Sequence, residues 1–225
     1  MKTAVLLSGG LDSTVLLASR RAKGETCLAV TVNYGQRHRV EIMAARHVAR
    51  HLSIQHEVVD LSNLQPFLKG SSQTDQSVEV PYGHYADENM KTTVVPNRNM
   101  VLLAVAGAVA IGHGCDELAY AAHAGDHAIY PDCRPEFAFR MAQAFLLCDW
   151  KPIRLIRPFI NMSKADIVSL GSLCRAPMHL TYSCYEGREG IHCGKCGTCV
   201  ERKEAFELAA VTDPTKYENV HETVG

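Results

Sequence analysis

The sequence predicts an α/β protein organised as a doubly wound parallel sheet, followed by a small cysteine-bearing C-terminal subdomain. Three observations predict it. Short apolar or β-branched runs alternate with helix-period segments through the first part of the chain. A Gly/Ser-rich turn, SGGLDS (Ser8 to Ser13), separates the first apolar run from the next. The alternation stops near residue 175, and closely spaced cysteines begin after it, which divides the chain into 1–175 and 176–225.

Taken in order, Thr3 to Leu7 reads as a strand and Thr14 to Arg21 as a helix ending near Gly24. Cys27 to Val32 is a second strand. Val40 to Leu52 is a helix carrying Ile42, Ala45, Val48, Ala49 and Leu52 on one stripe, and His56 to Val59 is a third strand. From Asn63 to Val95 the pattern fades into polar, Pro- and Gly-containing sequence, long enough to suggest a lid or mobile loop. An Ala-rich helix with little charge then starts at Arg98, which implies burial or a partner chain. A strand over Glu117 to Ala122, a helix over Glu136 to Leu147 and a last strand over Ile153 to Ile156 follow. Ser163 caps a helix running to Leu173.

The 225 residues are 47% hydrophobic and 21% charged, the balance of an ordinary globular protein. A net charge of -1 provides no field to gather a polyanion, so no nucleic-acid partner is expected. The longest uncharged apolar run, Met100 to Ile111, falls short of a bilayer span, and Asp12 interrupts the apolar N-terminal segment; no membrane association is expected. A cytoplasmic protein is the expectation, where structural disulfides would not persist, and nine cysteines could not all pair within one chain.

SGGLDS lies where a strand feeds a helix, and a helix N-terminus offers free N–H groups and a partial positive charge to an anion. Leu7, Ser8, Gly9, Gly10, Asp12, Ser13 and Thr14 are the candidate phosphate-binding residues: the glycines let the backbone approach and the hydroxyls add donors. There is no phosphate-loop lysine. Asp12 would repel phosphate unless a divalent cation lay between them, which makes it a candidate Mg²⁺ ligand. The plainer reading is a capped strand-to-helix turn. Arg98 and Lys164, each at the start of a helix, are candidates to contact the phosphates, and either could equally be a solvated surface charge. The full loop resembles the pyrophosphate loop of the N-type ATP pyrophosphatases, whose members activate a carboxylate or carbonyl oxygen as an adenylate. The resemblance implies an adenine nucleotide alpha hydrolase-like domain over 1–175, with Asp12, Arg98 and Lys164 in the catalytic machinery.

Cys184, Cys193, Cys196 and Cys199 are spaced C-x8-C-x2-C-x2-C, and four thiolates at such intervals close a tetrahedron around Zn²⁺. One structural zinc per chain is expected in 176–225, with Lys195, Arg202 and Lys203 near in sequence to offset the charge; an iron–sulfur cluster is the competing reading. Cys27, Cys115, Cys148 and Cys174 read as small core residues. His47 and His51 stand four apart without the acidic residue of a metalloprotease helix and read as surface histidines, while the same spacing of His123 and His127 falls in a loop and carries less weight.

SGGLDS, VPNRNM, GDHAIYPDCRPEF, PFINMSKADI, TYSCYEG, CGKCGTCVERKEAF and the late Asp213-Pro214 occur together, in order and over nearly the whole chain. Together they resemble the 7-cyano-7-deazaguanine synthase family of the queuosine pathway. That resemblance implies a ligase turning 7-carboxy-7-deazaguanine, ammonia and ATP into the nitrile through an activated carboxylate and an amide. It also implies Tyr130, Asp132, Arg134 and Glu136 as the deazaguanine pocket, with Arg134 able to pair with the substrate carboxylate. Thr181 and Ser183 are weaker candidates, Cys133 is a structural or wall residue, and 81–95 match nothing assignable. The apolar helix after Arg98 suggests a homodimer. A tRNA-modifying relative that adenylates a base, and a non-catalytic ATP- and zinc-binding regulator, are the alternatives.

Overall fold

The computed structural model describes residues 1–37, 40–83, 88–187 and 190–218. Five strands, β1 (Lys2–Leu6), β2 (Thr26–Asn33), β3 (Gln55–Asp60), β4 (Glu117–Ala119) and β5 (Arg154–Ile156), form one sheet in the order β3-β2-β1-β4-β5. Every pairing is parallel, with Ala4 opposite Leu28 on one side and Leu118 on the other. Six α-helices are described: α1 (Leu11–Ala22), α2 (Val40–His51), α3 (Arg98–Gly112), α4 (Pro135–Phe145), α5 (Lys164–Leu173) and α6 (Gly197–Leu208).

Alternation along the strands splits the core into two layers. Ala4, Leu28, Val30, Leu118 and Leu155 face Leu103, Ala106 and Ala110 of α3 and Ala138 of α4. Val5, Leu7, Ala29 and Ala119 face the other way, onto Val15 and Leu16 of α1, Ala45 and Val48 of α2 and Ile167 of α5. Each such side chain removed from water contributes about 1.5–3 kcal/mol. Where the chain enters β4, Glu117 is 4% exposed, and this buried carboxylate is neutralised by Arg20 and Arg154, each at 2.7 Å. Ser163 caps α5 reciprocally: its Oγ accepts the Asp166 amide at 3.2 Å, and Asp166 accepts the Ser163 amide at 2.9 Å.

The expected strands and helices are present, with end shifts of a few residues. α1 begins at Leu11, three residues earlier than its apolar period suggests, and β4 stops at Ala119 rather than Ala122. Two regions differ more. The polar segment after Asn63 contains two 3-10 turns, Ser62–Phe67 and Glu88–Thr93, and buries Ser71, Ser72, Gln73 and Thr74, so its described part is packed structure. The cysteine-rich tail contains α6, whose Ala205 and Phe206 enter the same core layer as α1 and α5.

Met90–Gly112 is apolar enough by composition for a membrane span. Yet α3 itself has 15 residues, about 22 Å at 1.5 Å per residue, and Leu103, Ala106 and Ala110 are fully buried over the sheet. It is a core helix. Phe145, the last residue of α4, packs against it: a Cβ on Gly107 would lie 2.2 Å from Phe145 Cε1. Gly107→Ala is therefore expected to cost about 1–3 kcal/mol, read as a lower urea midpoint, and to be partly restored by adding Phe145→Leu. An unchanged midpoint contradicts that packing.

Candidate active site

Chain order turns back between β1 and β4: β2 and β3 lie to one side of β1, β4 and β5 to the other. Ligands of open parallel sheets bind beyond the strand C-termini at such a reversal. A cavity of about 240 Å³ opens there, walled by the ends of β1, β2 and β4, the starts of α1, α3 and α5, and Tyr182, Ser183, Tyr185, Thr198, Glu201 and Arg202 of the C-terminal segment.

Leu7, Ser8, Gly10, Asp12 and Ser13 line this cavity. The loop is held from within: Ser13 Oγ accepts the Ser8 amide at 3.2 Å, Ser8 Oγ accepts the Gly10 amide at 3.2 Å, and Gly9 O accepts the Tyr182 amide at 2.9 Å. Gly9 has φ +90°, and a Cβ there would lie 2.1 Å from Glu41 O of α2. Only glycine permits that contact. α1 starts at Leu11 with no side-chain cap, so its first-turn amides are available to a ligand. Gly9 and Thr14 are absent from the lining; Gly9 packs on α2, and Thr14 is buried with its hydroxyl unpaired.

A charged cluster stands beside the loop. Lys164 Nζ donates to Asp12 Oδ2 at 2.7 Å and lies 3.2 Å from Glu201 Oε2. Burial alone would raise the Asp12 carboxyl, but the adjacent Lys164 ammonium, with Arg202 farther off, holds it below its usual range. Burial likewise opposes the charge on Lys164, and Asp12 and Glu201 hold its ammonium protonated far above neutrality. His123 is 1% exposed, with Nε2 at 3.8 Å from Asp12 Oδ2 and 3.5 Å from Asp126 Oδ2. Its Nδ1 accepts the Gly125 amide at 3.1 Å, which places the ring proton on Nε2, facing the two carboxylates. The 3.4 Å approach of Lys164 Nζ to that nitrogen is then a contact between two donors. Asp12 Oδ1 is buried and has no hydrogen-bond partner. A carboxylate oxygen held beside an anion site without a donor fits a hard divalent cation.

A second group surrounds Arg98. Its guanidinium lies 5.7 Å from the Tyr130 ring centroid, and Tyr34, Tyr130 and Tyr185 favour its charged form against the cost of burial. Glu41 faces the same cavity from the first turn of α2, and burial pushes its carboxyl up to about 7 against the opposing influence of Arg98. Tyr130 Oη pairs with Thr93 Oγ1 at 2.6 Å and Tyr185 Oη at 3.4 Å.

Of the four residues expected to hold a deazaguanine, Tyr130 lines the cavity and the other three do not. Asp132 accepts the Asn99 amide at 2.9 Å and so satisfies the start of α3. Arg134 donates to His127 O at 3.0 Å on the exterior, and Glu136 forms an exposed i,i+4 pair with Arg140 at 3.1 Å. Ser183 lines the cavity; Thr181 instead accepts from Arg202 Nη1 at 2.9 Å. Cys133 is a wall residue whose thiol is pushed up strongly by burial, which disfavours a thiolate nucleophile. His47 and His51 are exposed on α2.

Cys184, Cys193, Cys196 and Cys199 are all buried, with ligand atoms within 4.8 Å of one another and Cys184 Sγ at 3.9 Å from Cys196 Sγ. Cys184 Sγ accepts the amides of Glu186, Gly187 and Cys193 at 3.3, 2.9 and 3.2 Å, which fix its position in the cluster. The four form a cluster that can hold a metal ion. Lys203 reaches Gly194 O at 2.9 Å, close to the cluster, whereas Arg202 is taken up by Asp213 at 3.2 Å and by Thr181.

The model of the family described as "Queuosine biosynthesis protein QueC" matches residues 2–210. The chain belongs to the QueC family. It is 49% identical over 221 residues to the 7-cyano-7-deazaguanine synthase of Allorhizobium ampelinum, covering 97% of this chain and 93% of that one. The synthase of Brucella ovis is 48% identical, with 97% and 94% covered. In fold, this QueC-family chain is similar to a 4-thiouridine synthetase solved with RNA and bound ATP, at a TM-score of 0.51, 19% identity, and coverage of 77% of this chain and 40% of that one.

Sequence reading missed Tyr34, Glu41, His123, Asp126 and Glu201. The first two lie in and after the loop that leaves β2, and the next two in the loop that leaves β4; every loop on that edge of a parallel sheet faces the ligand side, which was the available signal. His123, given little weight in its loop, is among the most buried polar residues described. Glu41 also sets a pH dependence. Its carboxyl is raised from 4.5 to about 7 on folding, so the folded state binds the extra proton and stability falls as pH rises through that interval. Glu41→Gln is expected to flatten the urea-midpoint profile between pH 5 and 8. A profile as steep as the parent's contradicts the shift.

Proposed function

We propose that this QueC-family chain is an ATP-dependent ligase that converts 7-carboxy-7-deazaguanine and ammonia to 7-cyano-7-deazaguanine by way of an activated carboxylate and an amide. The observation that carries the reading is the uncapped start of α1 behind SGGLDS, flanked by Lys164 and by Asp12 with its unpaired oxygen. The named relatives supply the substrate class, as 7-cyano-7-deazaguanine synthases.

The amides of Leu11 to Ser13 and the Ser8 and Ser13 hydroxyls bind the nucleotide phosphates. Asp12 would hold Mg²⁺, which supplies positive charge against the phosphates. Lys164, kept charged by Asp12 and Glu201, turns its remaining donor to the same phosphates. Arg98, inside the cavity where Arg134 is not, takes the substrate carboxylate, and Tyr130 and Tyr185 wall the heterocycle. Catalysis is then positioning and charge stabilisation.

The cysteine cluster is assigned one structural zinc, which ties 176–225 to the rest of the chain: α6 follows the cluster and brings Thr198, Glu201 and Arg202 to the cavity. A homodimer is assigned to the apolar outer face of α3 and α4, where Met100, Phe139 and Leu146 are 42%, 48% and 41% exposed. The chain is assigned to the cytoplasm, where thiols stay reduced and available to a metal.

The test is incubation with Mg²⁺, ATP, ammonium and 7-carboxy-7-deazaguanine, followed by mass spectrometry. Nitrile supports the reading. Absence of both nitrile and amide contradicts it, and a mass increase on tRNA in a parallel incubation with tRNA in place of the deazaguanine would favour base adenylation. Asp12→Asn is expected to lower turnover about 100-fold or more with the melting temperature within a few degrees of the parent. Metal analysis should return about one zinc per chain; visible iron–sulfur absorption contradicts the zinc assignment.

A further inference from the structure

Arg98 and Glu41 carry opposite charges into one cavity without meeting. Neither forms an ion pair with the other or with any described residue, and no described hydrogen-bond partner occupies the Glu41 carboxylate. A half-buried cation and anion left apart in this way are placed for a ligand that offers an acceptor to one and an N–H to the other. The reacting carbon of a carboxylate becoming an amide, then a nitrile, has that polarity: oxygen on one side, nitrogen on the other.

The geometry points to Glu41 as the general base of the ligase, accepting the protons that nitrogen must shed, while Arg98 holds the oxygen side. This rests on the functional reading above. In the first half, the ammonia lone pair forms the C–N bond, the bond from carbon to the activated oxygen breaks with its electron pair, and one N–H proton passes to a Glu41 carboxylate oxygen. In the second half, ATP activates the amide oxygen. The two remaining N–H protons leave in turn, their electron pairs become C–N π bonds, and the activated oxygen departs with its pair. Glu41 returns each proton to water.

The position is set by backbone as well as by charge. Glu41 O is the atom a Gly9 side chain would strike, so the first turn of α2 rests directly on the phosphate loop. The base is therefore fixed next to the anchor of the activating nucleotide. The charged and titratable groups facing it are Arg98 of α3, Tyr34 at the end of β2, and Tyr182 and Tyr185 of the C-terminal segment. Burial moves all three tyrosines upward, away from neutrality. Glu41 alone in this group changes charge near pH 7, as a base working in neutral water should.

The experiment compares the parent, Glu41→Gln and Glu41→Asp with ammonia and with hydroxylamine, a nucleophile that captures activated carboxyls without a base. For Glu41→Gln, nitrile formation should fall about 100-fold or more while hydroxamate formation stays within about threefold, and Glu41→Asp should restore part of the ammonia reaction. At a constant concentration of unprotonated ammonia, the parent's nitrile rate should decline below pH 7 and the Gln variant's should not. Equal losses with both nucleophiles, nitrile formation close to the parent's, or a parent profile without that acid limb overturns the base assignment. Should Glu41→Gln fail to fold, the parent's pH profile decides alone. A parent that yields neither nitrile, amide nor hydroxamate overturns the ligase reading itself; a parent that yields nitrile with no dependence on Glu41 overturns only the base.

Discussion

The contact on which the site depends is between two pieces of backbone: Gly9 in the loop after β1 and the carbonyl of Glu41 in the first turn of α2. With φ at +90° and no room for a Cβ, Gly9 brings the phosphate loop against the helix that follows the neighbouring strand. The loop cannot shift without moving α2, which buries Ala45, Val48 and Ala49 in the core beside α1. Rigidity at the anion site therefore comes from packing well away from it. A preorganised donor set costs nothing to assemble when the ligand arrives.

Charge is distributed with the same economy. Around the Lys164 ammonium the candidate cavity gathers three carboxylates, Asp12, Asp126 and Glu201, so this cluster has no positive charge to spare for an anion. Under the proposed function a divalent ion accompanying the nucleotide would offset that local excess, and the unpaired Asp12 oxygen would receive it. The cysteine cluster takes part in this arrangement. Cys199 and Glu201 are two residues apart on α6, so whatever fixes the cluster also fixes a carboxylate on Lys164. The cysteine-bearing segment thereby contributes to the site's electrostatics as well as to the fold.

What could be read in the sequence was local. SGGLDS, the Ser163 cap and the cysteine spacing each depend on neighbours within a few residues, and each stands where its pattern indicates. The alternating runs gave the parallel sheet because buried strands impose their own period. Side-chain direction was not local. YPDCRPEF contains four polar candidates, but one short 3-10 turn followed by α4 sends Tyr130 inward and leaves Arg134 and Glu136 on the exterior, and nothing in their spacing distinguishes the two fates. His123 borders the candidate site only because Lys164 and Asp12, far away in sequence, close around it. α6 was masked by the cysteines at its start, although VERKEAFEL has ordinary helix-forming composition.

The most direct measurement is a crystal structure of the protein with Mg²⁺ and a non-hydrolysable ATP analogue. The account predicts phosphate oxygens within hydrogen-bond distance of the amides of Leu11 to Ser13, Mg²⁺ on Asp12, and the remaining donor of the Lys164 ammonium on a phosphate oxygen. Nucleotide bound elsewhere, or phosphates held without contact to the start of α1, would contradict it.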